Sequence, residues 1–149
     1  MKRLLVALAG ILVITLVAVI ISSLPTASVV VTSEDMTRAL ETNDGIISRQ
    51  ITINSGDSFK VTLYAHWSAG MKWSVSYSEP GIVRVDSARE FINDGPPGTV
   101  GSPGREYWTF KALDAGTTTV IMTYRSVANL PDAPQNVNTL ELVVVVDGA

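Results

Sequence analysis

The chain has 149 residues, 46% of them hydrophobic and 17% charged, with a formal charge of −3, one histidine and no cysteine. That length suits a single core, and the acidic balance speaks against nucleic acid as a partner. The absence of cysteine excludes disulfides, thiolate catalysis, cysteine-ligated zinc and a lipid-modified cysteine anchor.

The first element is an apolar run of 18 residues, Leu4 to Ile21, preceded by Lys2 and Arg3 and interrupted only by Gly10 and Thr15. A basic start before such a run reads as an export signal, here expected as a hydrophobic leader helix. Its length lies between the core of a cleaved signal peptide and the roughly 20 residues that span a bilayer. Pro25-Thr26-Ala27-Ser28 offers small residues for cleavage without a clean A-x-A pattern. Residues 1–27 are therefore read as a signal peptide or a signal anchor. The protein is expected to be exported, either secreted or anchored to the outer face of the cytoplasmic membrane through this segment. Loss of Lys2 and Arg3 would take the charge to −5.

Residues 28–45 are mixed polar, a linker or a short helix opened by Ser33-Glu34-Asp35 and running through Leu40, since serine caps and acids suit the helix dipole. After the Asn43-Asp44-Gly45 turn the hydrophobic period becomes two. Ile47 and Gln50 to Asn54 predict one strand, and Phe59, Val61 and Leu63, alternating with Lys60, Thr62 and Tyr64, a second beyond the Ser55-Gly56-Asp57 turn. Trp73 to Tyr77 and Ile82 to Asp86 follow as strands. Phe91 to Gly104 contains too many glycines and prolines for a ladder or a helix and is expected as a long surface loop. Tyr107 to Ala112, Thr117 to Arg125 and Thr139 to Val146 supply three more strands, with an exposed connection from Ser126 to Asn138. About seven strands with almost no helix predict an all-β, immunoglobulin-like sandwich over residues 46–149.

No catalytic constellation is visible. His66 is the only histidine, whereas a general base needs a nucleophile and an orienting partner, and zinc needs several ligands. Asn43-Asp44-Gly45 and Asn93-Asp94-Gly95 lack the alternating acids of a calcium loop, and turn chemistry accounts for both. Gly101 to Gly104 is not followed by the lysine and hydroxyl residue of a phosphate-binding loop. No metal, cofactor or enzymatic activity is expected.

Ser68-Ala69-Gly70-Met71-Lys72-Trp73, then Gly101-Ser102-Pro103-Gly104, then the stretch Tyr107 to Tyr124 together resemble the chagasin family of cysteine-peptidase inhibitors, over a span from Gln50 to Val146. The resemblance implies a sandwich that presents three loops as a wedge, plugging the cleft of papain-like cysteine peptidases reversibly and without being cut. Family members show N-P-T-T-G-Y/F-x-W, G-x-G-G and R-P-W/F in these loops. Here the first motif is matched at Gly70 and Trp73, with Met71 at the aromatic position and His66, Trp67, Ser68 and Ala69 in place of N-P-T-T. The second keeps Gly101 and Gly104, with Ser102 between them, but Pro103 replaces an inner glycine, fixing φ and removing a backbone donor. In the third, Ser126, Val127 and Ala128 stand where R-P-W is expected. Arg125 lies one position early, where strand alternation points it to the other face. Interface arginines and tryptophans are often worth about 2 kcal/mol or more, or roughly thirtyfold in affinity each.

These positions, His66 to Met71, Gly101 to Gly104 and Arg125 to Ala128, are the candidate peptidase contacts, and the protein is expected to act as a monomer. Trp73, Phe110 and Tyr124 are read as core aromatics. His66 is read as a loop residue with ordinary hydrogen bonds, while Trp67 is either an exposed anchor for a partner pocket or packing against a neighbouring loop. Because the third loop lacks its arginine and tryptophan, a surface module that kept the fold and binds another protein or envelope partner stands as the alternative to an inhibitor.

Overall fold

The computed structural model describes residues 26–127 and 138–148. The apolar run Leu4 to Ile21, with the export and anchoring expected of it, lies outside the described residues, as do Ala128 and most of the connection from Ser126 to Asn138. The elements are β1 (Ser28–Val31), α1 (Ser33–Thr42), β2 (Ile46–Asn54), β3 (Ser58–Ala65), a 3-10 turn (Trp67–Ala69), β4 (Met71–Tyr77), β5 (Val83–Asn93), β6 (Gly104–Ala112), β7 (Gly116–Ser126) and β8 (Asn138–Asp147).

Two four-stranded sheets form, ordered β1-β3-β6-β5 and β2-β8-β7-β4. The alternation read from the sequence puts one face of each strand into a shared core. Phe59, Val61 and Leu63 of β3 meet Trp108 and Phe110 of β6 in one sheet, against Val120 and Met122 of β7 and Leu140, Leu142 and Val144 of β8 in the other. Each such side chain, fully buried, contributes about 1.5–3 kcal/mol. Phe59 and Phe110 stack with centroids 5.1 Å apart, and Trp73 and Tyr124 lie tilted at 5.0 Å. The three aromatics expected in the core, Trp73, Phe110 and Tyr124, are buried there.

The all-β sandwich is as expected, with four departures in detail. The first is an eighth strand. Ser28–Val31 pairs in parallel with β3, from Ser28 opposite Lys60 to Val31 opposite Leu63, because Val29 and Val31 alternate into the core. Second, α1 begins one residue earlier in its capping than Ser33 implies. Thr32 is the N-cap: its hydroxyl accepts from the Asp35 amide at 3.2 Å while the Asp35 carboxylate accepts from the Thr32 amide at 3.0 Å, a reciprocal box that Ser33 cannot form because the residue three beyond it is Met36. The helix continues to Thr42 rather than Leu40 and buries Met36 and Ala39.

Third, the Ser55-Gly56-Asp57 turn does not join neighbours. It carries the chain between sheets, since β2 pairs in parallel with β8 and β3 pairs antiparallel with β6. Fourth, β5 reaches Asn93, so Phe91 is in a strand opposite Glu106, and Gly104 opens β6. The irregular segment is 94–103, where the glycines and prolines lie. Register shifts interrupt β5 between Val85 and Ser87 and again before Glu90.

Candidate functional site

Three connections leave the sandwich at the same end. The first, residues 66–70, links β3 to β4. The second, residues 94–103, closes the β5–β6 hairpin. The third, beginning at Val127, links β7 to β8. Strand register enforces this arrangement: Ala65 and Asn93 both lie opposite Gly104, and Met71 lies opposite Ser126.

The first loop is bonded to both others. The His66 ring donates from Nε2 to the Gly101 carbonyl at 2.8 Å, and the Gly70 carbonyl accepts from the Val127 amide at 2.9 Å. Within the loop, the 3-10 turn ends at Gly70, whose φ of +72° is left-handed and favours glycine. Its amide donates to the Trp67 carbonyl at 2.9 Å. Ser68 and Ala69 stand exposed at the tip, flanked by partly buried His66, Trp67, Gly70 and Met71.

Beneath the tip lies a polar and aromatic platform. The His66 amide donates to the Tyr124 hydroxyl at 2.9 Å, and the Trp73 indole donates to the Tyr64 carbonyl at 2.9 Å. Burial pushes the Tyr124 phenol up to about 12, with Tyr64 and Glu106 adding to the shift and the His66 amide opposing it. The Trp67 indole donates to Glu106 Oε1 at 2.7 Å, and its ring stacks on Phe91 with centroids 4.7 Å apart. The Lys72 ammonium sits 5.1 Å from the centroid of the same ring, a cation–π distance. Trp67 is thus partly buried and packed on strands, against Phe91 of β5, Glu106 of β6 and Lys72 of β4. His66 makes the ordinary loop hydrogen bonds expected of it.

The second loop is stiffened by its own polar groups. Asp94 receives Arg105 through Nε at 3.0 Å and Nη2 at 2.6 Å, and its amide donates to the Pro103 carbonyl at 3.1 Å. Asn93 Oδ1 accepts from the Gly95 amide at 2.7 Å, the Asx geometry that replaces a backbone turn. Gly101 and Pro103 are exposed and Ser102 is half-buried, whereas Gly104 is buried. The two outer glycines therefore serve different ends. Gly101 has a φ of +92°. Gly104 leaves room for its neighbours, because a Cβ there would collide with the Ile92 carbonyl oxygen and stand 2.8 Å from Phe91 Cζ.

In the third loop, Ser126 is half-buried and Val127 is 58% exposed. Arg125 is exposed on the outer face opposite Lys72, as strand alternation anticipated. Among the described residues no group of three or more histidine, cysteine, aspartate or glutamate side chains is placed to hold a metal ion.

Sequence reasoning had not marked Glu106, Phe91 or Tyr64 as supports of the first loop. A signal for Glu106 was present: it occupies an inward slot of β6 between Gly104 and Trp108, in a strand whose other inward residues are apolar or glycine. A charge at a core-facing register is informative. The Val127 amide contact has no side-chain signature.

Residues 52–142 match the family described as chagasin family peptidase inhibitor I42. No relative among curated proteins matches. Solved structures share the fold, among them the two that follow. The cysteine protease inhibitor EhICP2 from Entamoeba histolytica is similar at a TM-score of 0.55 and 21% identity, over 83% of this chain and 98% of that one. Amebosin is similar at 0.52 and 20%, over 83% and 99%. Since the family match spans more than half of the residues and contains both glycine-bounded segments and most of the strands, the chain belongs to the chagasin family of peptidase inhibitors.

Proposed function

We propose that the protein is a reversible inhibitor of papain-like cysteine peptidases that occludes the active-site cleft with its three loops. The observation that carries this reading is the hydrogen-bonded union of the loops at one pole, His66 to Gly101 and Val127 to Gly70, in a chain of the chagasin family. The small, exposed Ser68 and Ala69 permit close approach of the backbone to a catalytic cysteine, with the second and third loops bracing the cleft walls. Preorganisation lowers the ordering cost that a flexible plug would incur on binding. Membership in a family of inhibitors accords with a role in binding rather than catalysis. The Lys2-Arg3 start and the apolar run Leu4 to Ile21 support action outside the cytoplasm, with targets there.

The test is titration of the purified chain against papain-like enzymes. Expected is competitive, reversible inhibition with the chain recovered uncut. No inhibition at micromolar concentration would overturn the reading for those targets.

A second reading is favoured by one observation, the absence of the arginine and tryptophan of the third-loop motif at Ser126 and Ala128. Without those anchors the sandwich would serve as an exported module for another protein or envelope partner. The double substitution Ser126→Arg with Ala128→Trp, which keeps Val127 and its amide bond to the Gly70 carbonyl, separates the two. An inhibitor with a weakened third loop gains up to about thirtyfold for each restored hot spot. No gain favours the second reading.

A further inference from the structure

We propose that Glu106 is the positioning residue of the first loop: its buried carboxylate, held by the indole N–H groups of Trp67 and Trp108, clamps Trp67 against Phe91 and so presets the Ser68-Ala69 tip. This deepens the inhibitor reading and, for its effect on inhibition, rests on it.

Glu106 is fully buried, and among the described residues it is the buried charged side chain. Its two oxygens are divided between two donors, Oε1 taking Trp67 at 2.7 Å and Oε2 taking Trp108 at 3.1 Å. Indoles only donate and carboxylate oxygens accept, so each oxygen takes one indole N–H. Glutamine at this position would offer one oxygen and one NH2, and one of the indoles would then face a donor.

A charge in an otherwise apolar core is costly, and apolar replacement of buried ionic groups is often neutral or stabilising. Packing therefore does not explain it. Location does. Trp108 lies on the same strand as Glu106, two residues on, and is a fixed part of the core. Trp67 is the first residue of the 3-10 turn that carries the exposed tip. The carboxylate thus ties the turn that carries the exposed tip to the core.

The remaining attachments complete the restraint. His66 is held through its amide by Tyr124 and through its ring by Gly101, Gly70 by Val127, and the Trp67 ring by Phe91 below. Among the described residues of this loop, Ser68 and Ala69 have no hydrogen bond to another element. Release of Trp67 would free the N-terminal half of the turn, and a peptidase would then find a competent loop in only a fraction of molecules. Apparent affinity falls by that fraction, through the association rate.

The test uses the purified chain and the variants Glu106→Gln and Trp67→Phe, the second keeping an aromatic ring to stack on Phe91 while losing the donor. Two readouts are followed: amide exchange at residues 68–71 by NMR, and association and dissociation rates with papain. Both variants are expected to raise exchange at these residues at least tenfold and to slow association about tenfold, with dissociation changed less than threefold and the transition midpoint still above assay temperature. In the unmodified chain the Trp67 indole proton should exchange slowly. Rapid exchange of that proton, or variants that fold with exchange at residues 68–71 within twofold of the original, would overturn the clamp. Should the original chain fail to inhibit papain, the inhibitor reading falls for that enzyme, and the exchange data still decide the clamp.

Discussion

Tyr124 joins the core to the site through one hydroxyl. Its ring packs on Trp73, and its oxygen accepts the His66 amide. With its pKa raised from 10.0 to about 12 by burial, the folded state resists ionisation more than the unfolded chain does. The stability this group contributes is therefore fully present below pH 10 and is lost as pH rises from 10 to about 12. Urea midpoints measured across this window should fall more steeply for the original chain than for Tyr124→Phe. Parallel slopes would refute the assignment. At neutral pH the variant should itself be less stable by about 1–3 kcal/mol, because the His66 N–H loses its acceptor.

At the scale of elements, the β5–β6 hairpin depends on a glycine whose backbone angle is unremarkable. Gly104→Ala should lower stability by about 3 kcal/mol in chemical denaturation, since the new methyl meets the Ile92 carbonyl and the Phe91 ring. Gly98→Ala, at a φ of +84° in open space, should cost only about 1–2 kcal/mol, from the left-handed backbone alone. Equal losses would show that conformation rather than contact governs both. Alternation made β3, β6, β7 and β8 legible in the sequence, because each buries one face. Ser28–Val31 was not legible: four residues carry too little period to distinguish a strand from a lead-in, and its pairing with β3 and the burial of Val29 and Val31 stabilise it. Thr32 and Ser33 are both plausible caps by residue type, and Asp35 three positions after Thr32 selects between them. The parallel pairing of β2 with β8 joins segments far apart in sequence, which no local pattern encodes. In the site, Gly70 and Gly101 were legible as turn glycines through their need for positive φ. Glu106 showed only as a misplaced charge, whose meaning depended on two indoles brought from 39 residues before and two residues after it.

For the molecule as a whole, the sandwich has two unlike poles. One carries the loops bonded to each other. The other carries the turns at Ser55 to Asp57 and at 113–115, where the Ser55 amide donates to Asp147 and the Gly56 amide to Ala112, and where Asp114 and Ala115 are exposed. Lengthening a loop costs little in closure entropy, about 0.6 kcal/mol for each doubling, so the consequence of an insertion depends on what the loop must hold in place. A Gly-Ser insertion between Asp114 and Ala115 should leave the fold intact and inhibition unchanged within about twofold, because no contact of the site pole passes through that turn. The same insertion between Ser68 and Ala69 should be equally mild for stability, since both residues are exposed and the anchors at His66, Trp67 and Gly70 remain. Inhibition should nevertheless fall at least a hundredfold, because the tip proposed to enter the cleft would lose its preset length and pay the ordering cost of about 1–2 kcal/mol for each freed residue. Paired measurements of denaturation midpoint and inhibition constant on the two insertions separate the poles: an equal loss of inhibition from both would mean that the wedge is not confined to the end where the three loops meet.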